Sequence, residues 1–147
     1  MSHKVVIWDK EGASPEYLDG HLVLWRSYGL EDYPNAISIP ELIEGNADAI
    51  RSRYLAWVYE LGETRIRGKR LIDYLEIRPG FSFWWMTLIA EKCNWAKSPY
   101  ITDAIRLYAF EDWVNQQSIS EIKLISSNRH LLECLKIWCE GRGIAFT

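Results

Sequence analysis

Glu121-Ile-Lys-Leu-Ile-Ser-Ser-Asn-Arg-His-Leu-Leu-Glu-Cys-Leu-Lys-Ile-Trp-Cys-Glu-Gly-Arg-Gly-Ile-Ala-Phe146 is the stretch from which the fold is read. Glu121 to Ile125 has the apolar pattern of a strand. Ser126-Ser-Asn-Arg129 follows as a loop of residues that favour helix starts. Leu131, Leu132, Leu135, Trp138 and Cys139 then recur at helical spacing. Gly141-Arg-Gly143 stops the helix, and Ile144-Ala-Phe146 begins another strand. Strand, helix and strand at this length make a crossover unit, so the two strands are parallel and the connection right-handed.

Working outward, Lys4-Val-Val-Ile-Trp8 reads as a short buried strand, broken by the turn residues of Glu11-Gly-Ala-Ser-Pro-Glu16. His21 to Trp25 is a second strand, and Ala36 to Ile39 a third, stopped by Pro40. The middle of the chain reads as helical. Asn46 is placed to start a helix carrying Ile50, Tyr54, Trp57, Val58 and Leu61, with Gly62 as its stop. Lys69 to Ile77 reads as a short helix ended before Pro79. Phe81 to Cys93 is apolar nearly all round, the pattern of a helix buried on several sides. Ser98 caps a further helix with Pro99 at its first position, running to Gln116-Gln-Ser118. The fold class is therefore α/β, Rossmann-like, with a mainly parallel sheet and a helical insertion at about residues 40–118, forming one domain over 1–147. The last strand is one that a covering helix ordinarily follows. The expectation is that the chain is the N-terminal part of a longer protein.

With 147 residues, 48% hydrophobic and 25% charged, the chain is of globular composition and can bury a core. Net charge is −3 and no Lys/Arg stripe dominates, so a nucleic-acid partner is not expected. The one basic stretch, Arg65-Ile-Arg-Gly-Lys-Arg70, reads as a solvated connection, with a patch facing anionic lipid or substrate as the alternative. Peripheral membrane association stays open on that basis. No apolar run is long enough to span a bilayer. Cys93, Cys134 and Cys139 are odd in number and lack Cys-x-x-Cys spacing. They read as reduced thiols buried as small apolar residues, which places the chain in the cytoplasm. An exposed edge of a parallel sheet would let the chain pair into a homodimer.

Ligands of open parallel sheets bind beyond the carboxyl ends of the strands. Asp9-Lys-Glu-Gly12 and Ser126-Ser-Asn-Arg-His130 should lie at such ends. Ser126, Ser127, Asn128 and Arg129 are candidates for holding a phosphate or other anion at a helix start. The competing reading is that Ser127 or Asn128 simply caps the helix. There is no Gly-x-Gly-x-x-Gly and no Gly-Lys-Ser/Thr, hence neither a dinucleotide fingerprint nor a P-loop. No Gly-x-Ser-x-Gly turn occurs, and His3, His21 and His130 are scattered, so no metal set and no cofactor are expected.

Phe81-Ser-Phe-Trp-Trp-Met-Thr-Leu-Ile-Ala-Glu-Lys-Cys-Asn-Trp-Ala-Lys-Ser-Pro99 joins a dense aromatic block to a polar tail. Its rings read mostly as core. An exposed Trp would instead stack on a sugar face. Glu91 would accept from a hydroxyl or act as a base, and Lys92 or Lys97 would hold a phosphate.

This run resembles a signature of bacterial surface carbohydrate biosynthesis proteins of the O-antigen or capsule type. These are longer proteins similar to glycosyltransferases. The resemblance extends more weakly into Tyr100 to Trp113. It implies substrate-binding roles for Trp84, Trp85, Glu91, Lys92, Asn94 and Lys97, with Glu91 the candidate catalytic residue. It further implies a sugar nucleotide or glycan acceptor as partner of the full-length protein, at the inner face of the membrane. The chain would be its acceptor-side domain, inactive alone. The residues also admit a non-catalytic α/β binding module, or a small enzyme acting on a phosphorylated ligand through Ser126 to His130.

Overall fold

The computed structural model describes residues 3–11, 19–29, 31–91 and 98–147. In chain order these form β1 (His3–Asp9), β2 (His21–Leu24), β3 (Ile37–Ser38), α1 (Ile39–Gly45) and α2 (Ala47–Glu63). Then come β4 (Arg65–Ile66), β5 (Lys69–Arg70), α3 (Leu71–Tyr74), β6 (Glu76–Arg78), β7 (Phe81–Ser82) and a 3-10 turn at Phe83–Met86. The chain continues with α4 (Pro99–Val114), β8 (Ile119–Ser126), α5 (Arg129–Glu140) and β9 (Ala145–Phe146). Two compact units result: Met1–Asn46 with Arg106–Thr147, and Ala47–Ile105.

The first unit holds a five-stranded, all-parallel sheet in the order β3-β2-β1-β8-β9. From β1 the chain steps outward through β2 and β3, then returns to the other side of β1 with β8 and β9. This is the order of a Rossmann-like α/β fold, and the reversal falls between β1 and β8. Register pairs Val5 with His21 and Ile122, Ile7 with Val23 and Leu124, and Asp9 with Ser126. Paired residues share a face, so Val5, Ile7, Val23 and Ile122 make one apolar surface, all of them buried. Trp25 lies fully buried beyond the end of β2, and its ring meets Phe110 edge to face at 5.9 Å. Phe110 in turn meets Trp138 of α5 at 5.6 Å. Full burial of each such side chain contributes about 1.5–3 kcal/mol. The opposite face is more polar: Lys4 bridges Glu121 at 3.1 Å.

Helix starts follow local chemistry. Ser38 caps α1, accepting from the Glu41 amide at 3.3 Å, and Pro40 fits the first turn, where its missing N–H costs nothing. Asn128 caps α5 by accepting from the His130 and Leu131 amides, and Leu131, Leu135 and Cys139 form its buried stripe. Asn46, expected to start α2, instead closes α1: its amide reaches Ile43 and its side-chain N–H2 the Leu42 carbonyl.

The second unit occupies 47–105, inside the expected insertion, and carries two hairpins beside its helices. The basic stretch is the first of them. Arg67 (φ 50°) and Gly68 (φ 84°) both take the left-handed conformation that a two-residue hairpin turn demands. Within Lys69–Ile77 only Leu71–Tyr74 is helical, because the flanking residues pair as β5 and β6. The aromatic run differs most from its pattern. Pro79-Gly80 turns the chain with Gly80 at φ 77°, β6 pairs with β7, and Ser82 caps a single 3-10 turn. Among the described residues of the run only Trp84 of the large ones is buried, whereas Phe83, Trp85, Met86 and Leu88 are exposed. A short hairpin and a tight turn satisfy the backbone here, and a single turn can bury only one side of itself.

Candidate functional site

Asp9 ends β1, Ser126 ends β8, and Arg26 follows β2 just past Trp25. All three therefore stand at the carboxyl ends of adjacent parallel strands, where the strand order reverses. The Asp9 side chain is 1% exposed, a costly place for a carboxylate without partners. Its partners are the Arg26 guanidinium, which donates from Nε to Oδ1 and from Nη2 to Oδ2, and the Ser126 hydroxyl, which donates to Oδ2 at 2.5 Å. Ser126 Oγ also accepts from the Asn128 amide at 2.9 Å, so one hydroxyl ties the carboxylate to the cap of α5. Next along the sheet edge, Ser38 donates to the Ser27 carbonyl at 3.0 Å and fixes the loop that carries Arg26. Arg26 is 38% exposed and forms the accessible side of the cluster.

The expected anion-binding residues divide. Ser126 and Asn128 are engaged, the first with Asp9 and the second with the helix amides, while Ser127 and Arg129 are exposed. The Asp9 carboxylate beside Ser126 opposes a second negative charge there. The arrangement suits a ligand that both donates and accepts hydrogen bonds without carrying a charge.

The expected substrate-binding set divides as well. Trp84 is buried, and its indole N–H has no hydrogen-bond partner among the described residues. Its ring lies against Gly62 of α2, where a Cβ would come within 2.9 Å of Nε1, so Trp84 is a packing residue. Trp85 is half exposed and open to a ligand. Glu91 is exposed, and its amide closes the turn on the Thr87 carbonyl at 2.9 Å. Lys92, Asn94 and Lys97 lie outside the described residues. Arg26 was not among the expected site residues; the signal for it was the polar break that ends the second strand. Among the described residues no three His, Cys, Asp or Glu side chains are grouped to hold a metal ion, and no helix is long and apolar enough to cross a membrane.

The sheet order defines a Rossmann-like α/β domain with a polar cluster at the carboxyl ends of its strands. Comparison with protein-family models, curated proteins and solved structures finds no match.

Proposed function

We propose that the chain is the acceptor-side α/β part of a glycosyltransferase-like protein of bacterial surface polysaccharide assembly. On this reading it receives a neutral, hydroxyl-rich ligand at the carboxyl ends of β1 and β8, on the cytoplasmic side. The observation that supports it is the pairing of Arg26 and Ser126 with the buried Asp9 at the reversal of strand order. Sugar hydroxyls accept from guanidinium groups and exchange hydrogen bonds with hydroxyls, and Arg26 and Ser126 stand side by side here. Asp9, buried beneath them, holds both in place. A phosphorylated ligand fits less well, because the carboxylate stands where the phosphate would approach the Ser126 hydroxyl.

Saturation-transfer NMR on the chain with neutral oligosaccharides, sugar nucleotides and sugar phosphates tests this. Neutral oligosaccharides should bind, and Ser126→Ala should weaken them on the order of tenfold, the worth of one hydrogen bond beside a charge. Binding of sugar phosphates alone, or equal binding by Ser126→Ala with its fold intact, would overturn it.

A further inference from the structure

The second unit carries a cleft of about 180 Å³ lined by residues other than those of the Asp9 cluster. Its walls include Arg70, Asp73, Glu76, Phe81, Ser82 and Trp85. We infer that this cleft is a subsite for a single neutral pyranose ring, stacked on Trp85. The inference takes its biological setting from the glycan-handling function proposed above, but rests on residues of its own.

The polar wall is built before any ligand arrives. Arg70 grips Asp73 through two parallel bonds, Nε to Oδ2 at 2.8 Å and Nη2 to Oδ1 at 2.7 Å. Its third nitrogen reaches both oxygens of Glu63 at 3.1 Å. Glu76 Oε1 accepts from the Gly80 amide at 2.8 Å. Ser82 Oγ donates to the Ile72 carbonyl at 2.6 Å and accepts from the Trp84 amide. Side chains held this firmly lose little further freedom when a ligand binds.

The apolar wall is left open. Trp85 is 50% exposed, a large ring kept in water on a unit that buries its neighbour Trp84. Phe81 stands beside it, with the Arg78 guanidinium over its ring at 5.0 Å. Exposed aromatic area next to fixed polar groups is the usual make-up of a ligand site.

Size and charge narrow the ligand. The volume is well under the roughly 300–1,000 Å³ of drug-sized pockets, which suits one ring and excludes a nucleotide. Asp73 and Glu76 outnumber Arg70 in the wall, and Glu63 adds a further carboxylate behind it, so an anion is disfavoured. A small cation would find these carboxylates already engaged, Asp73 and Glu63 by Arg70 and Glu76 by the Gly80 amide. A pyranose meets all of these conditions, with an apolar C–H face for Trp85 and uncharged hydroxyls for the carboxylates.

The test is a ¹H–¹⁵N NMR titration of the whole chain with the methyl glycosides of glucose, galactose and N-acetylglucosamine. Glucose 1-phosphate and tetramethylammonium are the charged comparators. At least one neutral glycoside should shift the Trp85 indole resonance at millimolar concentration. Trp85→Ala and Glu76→Gln should each weaken binding on the order of tenfold. Both residues are exposed, so the variants should keep the fold, checked by the dispersion of their spectra. No shift with any neutral glycoside, a response to tetramethylammonium or glucose 1-phosphate alone, or unchanged affinity in Trp85→Ala would each overturn the inference. Ser126→Ala should leave the Trp85 shifts intact. Failure at the Asp9 cluster is thereby distinguished from failure here.

Discussion

Removing Arg26 should destabilise the protein more than removing Asp9, its partner. The asymmetry comes from where the two charges sit. Arg26→Ala leaves a carboxylate 1% exposed with only the Ser126 hydroxyl to satisfy it. Stranding a buried charge in this way costs about 3–5 kcal/mol. In Asp9→Ala the guanidinium that loses this carboxylate is 38% exposed, so water can solvate it. Its cost is that of lost hydrogen bonds to a charged group, about 1.5–3 kcal/mol. Asp9→Ala should therefore be the milder change by about 1–2 kcal/mol. Urea unfolding at neutral pH, followed by circular dichroism and by tryptophan emission, measures both. The double variant should cost less than the sum of the two single changes, since the Asp9 carboxylate that Arg26 neutralises is already gone. Equal losses for the two single variants, or a larger loss for Asp9→Ala, would refute the view of Asp9 as a buried charge held by Arg26.

Three further outcomes are expected. Gly62→Ala gains about 1 kcal/mol of helix propensity but presses a methyl against the Trp84 ring, an overpacking cost of about 1–3 kcal/mol, so its urea midpoint should fall rather than rise. Burial pushes the Cys139 thiol up to about 11, so at pH 8 a thiol reagent should label exposed Cys134 quickly and Cys139 only after unfolding, as peptide mapping would show. The Arg70 hydrogen bonds hold the Asp73 carboxyl below the ordinary carboxylate value. Because the folded pKa is depressed, this contribution is present above the unfolded value and fades as pH falls through the folded one. In Arg70→Gln the Asp73 carboxyl resonance should titrate closer to its ordinary range.

The parallel half of the fold was legible because each of its elements reports on its neighbours. Leu131, Leu135 and Cys139 mark one stripe, Asn128 supplies the cap, and two apolar runs flank them, which together leave a crossover unit as the natural reading. The run from Phe81 to Cys93 was not legible for the opposite reason. Hydrophobicity all round the helical wheel signals burial only if a helix forms, and here the Pro79-Gly80 turn and the Ser82 cap win locally. The same change of structure made Trp84 and Trp85, adjacent in sequence, opposite in role. The strand-end cluster was legible in part. Asp9 and Ser126 fell in segments expected at strand ends, but their hydrogen bond joins residues 117 positions apart, a contact that no local pattern encodes.

That separation has a kinetic meaning. β1 pairs with β2 across a short connection, but its other edge must wait for β8. At a synthesis rate of about 5–20 residues per second, the wait is roughly 6–23 s. Closing the longer loop costs roughly 1.8 kcal/mol more than bringing β1 to β2, by the logarithmic dependence on loop length. Until then the apolar edge of β1 is unpaired, the kind of surface that recruits other chains and that chaperones cover. Asp9 meanwhile lacks the Ser126 hydroxyl. The Asp9–Ser126 pairing is thus among the last features of the sheet to assemble, and a partly folded chain carries no version of it.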